Sequence, residues 1–238
     1  MTPVRRHDQN PLSDKAKRDW IVFVVLLTLF HVLVLVYWLG GDLGAFYTSS
    51  FMTDPKRSVA ERMMAVKILN NIDMAPRTML ILAFPTGLAL ASAKGWIDLP
   101  AYIPAIVALL FLGWLALAWA VHLRHGDGGA VKKIDLAIRY VCVATFGLSG
   151  VAGLVGLLTI PLFIALKLCL LAGCVALGLV VRRQLVPLFG AIREMTTSGP
   201  TAGTDAIIRR VNEQARVSVI TIWLLITLAA YLGIATPN

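Results

Sequence analysis

Apolar residues fill six long stretches of the chain, and most polar residues lie between them. The apolar stretches cover residues 20–40, 76–93, 102–122, 136–158, 161–181 and 217–232. A helix rises about 1.5 Å per residue, so about twenty apolar residues cross the hydrocarbon core of a bilayer. The pattern therefore predicts an all-α fold, a polytopic bundle of six transmembrane helices. Residues 1–19 are predicted to form a polar N-terminal arm, and residues 20–238 a single membrane domain.

Composition supports a membrane protein. Of the 238 residues, 58% are hydrophobic and only 15% are charged, and the mean hydropathy is +0.78. These values lie outside the range of soluble domains, so we expect a lipid bilayer as the main partner. The three cysteines lie inside apolar stretches without CxxC spacing, which favours free thiols over a disulfide framework or a zinc site.

The basic residues predict an orientation. The net charge of +9 does not indicate nucleic-acid binding here, because Lys and Arg beside membrane spans serve to fix topology. The loops 41–77, 123–139 and 182–216 share one side of a six-span protein and hold fifteen basic residues, against six on the other side. The positive-inside rule then predicts that both termini are non-cytoplasmic in a bacterial inner membrane.

Two regions of the chain follow the same plan. Segments 72–91 and 211–230 align at an offset of 139, which places Arg77 on Arg216. Each segment follows a polar helix, and each polar helix follows an apolar span. Membrane folds are often built from repeated halves, so we expect an internal span–polar helix–span repeat with spans three and four inserted between its copies. In the first polar helix, Ala60, Met63, Met64 and Ile68 repeat at a spacing of three to four residues, which predicts a polar amphipathic helix between spans one and two.

Each copy of the repeat carries one ionisable residue inside its first span. His31 lies in span one and Lys167 in span five, at depths that differ by roughly 8 Å. The two side chains could line one cavity. A histidine in hydrocarbon either bonds to a neighbouring helix or binds a metal as neutral imidazole, and a lysine either snorkels to the interface or pairs with a buried ligand oxygen.

Three short motifs carry a family resemblance. They are His31 followed by Trp38 and glycine (HVLVLVYWLGG), Lys167 followed by leucine, and RxxNE at Arg209 to Glu213. At these residues the chain resembles the HemJ-type protoporphyrinogen oxidases and, more loosely, the related CopD-like membrane proteins. In that family the first-span histidine and the later lysine are the essential pair, and heme b is bound in the membrane.

The resemblance implies that His31 is the metal ligand of heme b and that Lys167 is its functional partner. The candidate cofactor-binding residues are His31, Trp38, Lys167, Asn212 and Glu213. The candidate catalytic residues are Lys167, Arg77 and Arg216, the two arginines because a guanidinium suits a carboxylate such as a heme propionate. The other interpretation of Asp73 with Arg77, of Arg209 with Glu213 and of Asn212 with Arg216 is simple surface pairing at a spacing of four residues. Among the other histidines, His122 and His125 at the end of span three are second-ligand candidates, whereas His7 lies in the polar arm.

Three functions stay open from sequence. The leading one is a membrane-embedded heme b redox protein that oxidises a porphyrinogen-like substrate and passes electrons to a quinone, which would make it an oxidoreductase. The second is a CopD-like permease for copper or a small solute, although the methionines lack chelating spacing. The third is a structural or assembly subunit, with a homo-oligomer or another membrane protein as partner. In that case the strip Gly147, Gly150, Gly153 and Gly156 would dock the partner.

Overall fold

The fold is all-α, as predicted. The computed structural model describes residues 11–123 and 129–236, and this part of the chain contains eight helices and no strand. The helices are α1 Pro11–Thr53, α2 Val59–Ile72, α3 Met74–Ala93, α4 Tyr102–Leu123, α5 Gly129–Leu154, α6 Leu162–Gln184, α7 Val186–Ser198 and α8 Ala202–Ala235.

The predicted six spans are confirmed. Six helical segments of the described chain are long and apolar enough to cross a membrane, so this is an integral membrane protein. Two of these segments each consist of two consecutive helices. α2 joins α3 at Asp73, and α6 joins α7 at Leu185, and both junction residues have a helical backbone conformation. The order of span, polar helix and span occurs twice, as α1–α2–α3 and as α6–α7–α8, with α4 and α5 between them.

Several helix boundaries differ from the predicted ones. α1 begins at Pro11, inside the predicted polar arm, because no residue before Trp20 breaks the helix and Asp14 suits a first turn. α5 ends at Leu154 instead of residue 158, and Gly156 turns the chain with a φ of +77°. α8 starts long before the apolar stretch at 217, since Thr201 and Thr204 form a capping box that begins the helix.

The polar helices form a helical cap at one end of the bundle. We define this cap as the end of α1 from Asp42 onward, α2, α7 and the first half of α8. Its own apolar core consists of Met52, Ala65, Leu188, Ala191, Met195, Ile208 and Val211. Two further cores lie within the spans, one among α1, α3, α6 and α8 and the other among α3 to α6. The cap closes the bundle at the end where α3 begins and α6 finishes.

The helix predicted between spans one and two is α2. Its buried residues are Arg62 and Ala65, whereas Ala60, Met64 and Ile68 are exposed and Met63 is half-buried. Arg62 is held inward by two hydrogen bonds. Its Nε donates to the carbonyl of Met52 at 2.8 Å, and its Nη1 pairs with Asp205 at 2.8 Å.

The glycine strip of span four packs against α6 of the same chain. A Cβ on Gly150 would lie 2.5 Å from Cys169 Sγ and 2.9 Å from the Cys169 backbone nitrogen. A Cβ on Gly153 would lie 2.8 Å from Ala165 Cβ. The close helix approach that the strip predicts is therefore present at Gly150 and Gly153, where the neighbouring helix is α6 of the same chain.

Candidate functional site

His31 is held in one orientation by α3. Its Nδ1 lies 2.8 Å from the hydroxyl oxygen of Thr86, and that hydroxyl donates to the carbonyl of Leu82 at 2.7 Å. The Thr86 hydroxyl can accept from His31 Nδ1–H or donate to Nδ1, depending on the tautomer of the ring. The tautomer protonated at Nδ1 would leave Nε2 with its lone pair. Gly87 lets the ring lie against the α3 backbone, since a Cβ there would be only 3.2 Å from His31 Cε1.

Lys167 packs in a similar way against a glycine of the neighbouring span. Its Nζ lies 2.7 Å from the position that a Cβ on Gly233 of α8 would occupy. The lysine is also near enough to His31 to interact with it electrostatically. His31 of α1 and Lys167 of α6 are therefore within range of electrostatic interaction.

A polar cavity of about 190 Å³ lies between the spans and the helical cap. Trp38, Leu80 and Ile222 line it from the spans, and Met52 and Leu188 line it from the cap. The polar side chains around it are Asp42, Ser49, Asp73, Arg77, Arg139, Arg182, Asn212 and Arg216. Neither His31 nor Lys167 is among the residues that line this cavity. The two ionisable residues of the repeat and the cavity are therefore separate regions.

Three of the four arginines around the cavity are paired with carboxylates. Arg77 pairs with Asp73, the neighbour predicted at a spacing of four residues. Arg139 donates to Asp135 from Nε at 3.1 Å, and Arg182 donates to the same carboxylate from Nη2 at 2.8 Å. Asp135 itself is 1% exposed, so these pairs are fixed structural contacts.

Arg216 differs from the other three. Its guanidinium lies over the ring of Phe46, with Cζ 4.2 Å from the ring centre. Its Nε is buried and has no hydrogen-bond partner, and no carboxylate of the described residues comes within ion-pair distance. Asp42 lines the same cavity and accepts from Trp223 Nε1 at 3.1 Å. The cavity thus contains one cation and one carboxylate that are not bonded to each other.

The predicted site residues divide into three groups. Trp38, Arg77, Asn212 and Arg216 line the cavity, and His31 and Lys167 lie together outside it. Glu213 is exposed on α8 and does not line the cavity, because successive residues of a helix point about 100° apart. Among the described residues, the predicted pairs of Arg209 with Glu213 and of Asn212 with Arg216 do not form.

Of the remaining histidines, His122 lies within the described residues. His122 stacks edge-on to Trp119 at the end of α4, with ring centres 6.0 Å apart. His7 and His125 lie outside the described residues. Within the described part of the chain, no three His, Cys, Asp or Glu side chains form a group that could hold a metal ion.

Sequence reasoning assigned no role to three cavity residues, Asp42, Arg139 and Arg182. Asp42 follows His31 by eleven residues, which is about three helical turns and places both on one face of α1. Arg139 follows Asp135 by four residues at the start of a span, a spacing that brings side chains together. These two spacings are the features of the sequence that could have pointed to Asp42 and Arg139.

Comparisons with known proteins do not place the chain in a family. No family model, no curated protein and no solved structure matches it.

Proposed function

We propose that this protein is a membrane-embedded redox protein that binds heme b, with the Nε2 atom of His31 as an axial ligand. The observation that carries the proposal is the hydrogen bond between His31 Nδ1 and Thr86. Histidines that bind metals nearly always donate their second ring N–H to an oxygen, which fixes the tautomer and the ring orientation. The contact between His31 Nδ1 and Thr86 is compatible with this arrangement, and a neutral imidazole can ligate iron without burying a charge.

Each residue of the region has a role in the proposal. Thr86 holds the ring, and Gly87 lets it approach α3. Lys167 is placed to hold or donate a proton, or to pair with an oxygen of the substrate. Heme b, when bound, supplies one-electron redox chemistry, and the protein supplies orientation and exclusion of water. A hydrophobic substrate such as a porphyrinogen and a quinone-like acceptor would reach such a centre from the bilayer.

The absorption spectrum of the purified full-length protein, expressed with ample heme, tests this proposal. A Soret band is expected in the wild type and should be lost or strongly weakened in His31→Ala. Added imidazole should restore the band in that variant, because the free ring can occupy the space left by the side chain. A wild type without a Soret band would overturn heme binding, and a band unchanged in His31→Ala would overturn the ligand assignment.

Thr28→Val is a matched control for these variants. Thr28 lies on the same helix, and its hydroxyl donates only to the carbonyl of Val24 within α1, at 2.7 Å. This variant should keep the wild-type spectrum. If it loses the band as His31→Ala does, the loss reflects general damage to α1 rather than removal of a ligand.

A second candidate function, a small-solute permease, is favoured by the polar cavity beneath the helical cap. Buried charged residues within membrane proteins commonly mark solute pathways. Uptake of a small solute into proteoliposomes would support it, and leak rates equal to those of empty liposomes for every solute tried would oppose it. Copper has less support as the solute, because Met52 and Met63 pack in the apolar core of the cap.

A further inference from the structure

We propose that the cavity beneath the helical cap binds a carboxylate or phosphate group of a small molecule, and that Arg216 is the residue that holds it. This site is distinct from the region around His31 and does not rest on heme binding. Three features support the proposal, namely the charges around the cavity, the geometry of Arg216 and the volume of the cavity.

Within the described part of the chain, the ion pairs around the cavity leave Arg216 without a carboxylate partner. Asp73 is taken by Arg77, and Asp135 is shared by Arg139 and Arg182. Arg216 is the arginine of the cavity without a carboxylate partner among the described residues, and its Nε is buried with no acceptor. A buried ionic donor without a partner is costly, so its retention points to a ligand that supplies the acceptor.

The surroundings of Arg216 suit an oxyanion. The face of Phe46 lies 4.2 Å from the guanidinium carbon and orients its plane. A planar guanidinium presents paired N–H donors that match two oxygens of a carboxylate or phosphate. Asn212, one turn earlier on α8, lines the same cavity and can donate from its amide.

Asp42 restricts which anions fit. Its carboxylate lines the same cavity and would repel a second negative charge placed beside it. The ligand therefore holds its anionic group on the side of Arg216 and a hydroxyl or ammonium donor toward Asp42. Small hydroxy acids, amino acids and phosphate esters have this combination of groups.

The size of the cavity limits the ligand to a small molecule or a headgroup. Its 190 Å³ corresponds to about six water molecules at the volume that each occupies in the liquid. Pockets for drug-sized ligands and cofactors are about 300–1,000 Å³, so this volume suits a smaller ligand. The anionic group can come from a soluble molecule or from the headgroup of an anionic lipid.

Binding is best followed by tryptophan fluorescence of the full-length protein in nanodiscs, because Trp38 lines the cavity and Trp223 contacts Asp42. In one arm, lactate, glycine and inorganic phosphate are titrated in phosphatidylcholine nanodiscs at constant ionic strength. In the other arm, phosphatidylcholine is replaced stepwise by phosphatidylglycerol. The variants are Arg216→Gln and Arg216→Lys, and Arg210→Gln is the matched control, since Arg210 is exposed on the same helix.

A saturable change is expected in at least one arm. Arg216→Gln should weaken it about tenfold or more, the usual effect of losing a hydrogen bond to a charged group, whereas Arg210→Gln should leave it unchanged. Arg216→Lys keeps the charge without the fork and should give an intermediate affinity, which also serves if Arg216→Gln does not fold. Saturation by soluble anions identifies a soluble ligand, and saturation by phosphatidylglycerol alone identifies a lipid headgroup. No saturable change in either arm, or equal weakening in Arg216→Gln and Arg210→Gln, would overturn the proposal.

Discussion

Asp135 is expected to be the most important single carboxylate for stability. It is 1% exposed and joins three spans, because it accepts from Trp114 Nε1 of α4 at 2.9 Å, from Arg139 of α5 and from Arg182 of α6. Replacing it with asparagine keeps the shape but removes the charge. It also turns an amide donor toward groups that are donors themselves, so that the hydrogen bonds cannot all be kept.

The size of the effect follows from the burial of the two arginines. Removing one partner of a buried ion pair costs about 3–5 kcal/mol, because the other charge is left uncompensated. The Arg139 side chain is 6% exposed and would bear most of this cost. The Arg182 side chain is 33% exposed and can be hydrated, so its share is smaller. We therefore expect Asp135→Asn to lower the free energy of unfolding by about 3–4 kcal/mol.

Unfolding in a titration with sodium dodecyl sulfate measures this change. Helix content is followed by circular dichroism and the surroundings of the indoles by tryptophan fluorescence, since Trp114 bonds directly to Asp135. Asp98→Asn is the control, because Asp98 is exposed in the connection between α3 and α4. If Asp135→Asn lowers the free energy of unfolding no more than Asp98→Asn does, the stabilising role of the buried Asp135 carboxylate is refuted.

Three further predictions concern close contacts elsewhere in the bundle. Gly150→Ala should destabilise the protein by about 1–2 kcal/mol, because a methyl group would collide with the backbone of α6, whereas Gly113→Ala has open space and should be neutral or slightly stabilising in the same detergent titration. Asp205→Ala should be more destabilising than Arg62→Met, as measured in a double-mutant cycle, because the Arg62 side chain is 1% exposed and would be left charged without a partner. Thr86→Val should weaken heme retention by about tenfold or more in a competition with apomyoglobin.

Each of these predictions has an outcome that contradicts it. Equal stability of the two glycine variants would mean that α5 and α6 can separate without cost. If Arg62→Met lowers the free energy of unfolding more than Asp205→Ala does, then the carboxylate, and not the guanidinium, is the group that needs its partner in this ion pair. Heme retention in Thr86→Val equal to that of Thr28→Val would mean that the bond to His31 does not support a ligand.

The sequence predicted the spans because their length and polarity are fixed by the bilayer. Each of the six apolar stretches must supply about twenty residues, and each corresponds to a helix in the structure. The polar segments were harder to interpret. Arg62 lies in a segment with several charged residues, where polarity usually indicates exposure, yet its side chain is among the most buried in the protein. Its partner Asp205 is 143 residues away, and no local pattern connects the two.

The candidate site was predictable to a similar degree. His31 and Lys167 were identified because a titratable group inside an apolar run is conspicuous. Arg77 and Arg216 were identified by the internal repeat, and both line the cavity. What the sequence did not reveal is that Arg77 has a carboxylate partner and Arg216 does not. That difference depends on which helices pack together, and it carries the anion proposal.

One face of α1 carries residues of both the His31 region and the cavity. His31, Trp38 and Asp42 lie seven and then four residues apart, so they share this face over about 16 Å along the helix axis. Trp38 is 5% exposed and lines the cavity, whereas His31 does not line it. A heme at His31 and an anion at Arg216 would therefore lie at different points along this face. Heme binding would depend on the hydrogen bond to Thr86, whereas anion binding would depend on the guanidinium of Arg216, which has no carboxylate partner among the described residues. A mutation that abolishes one of these functions should therefore leave the other measurable.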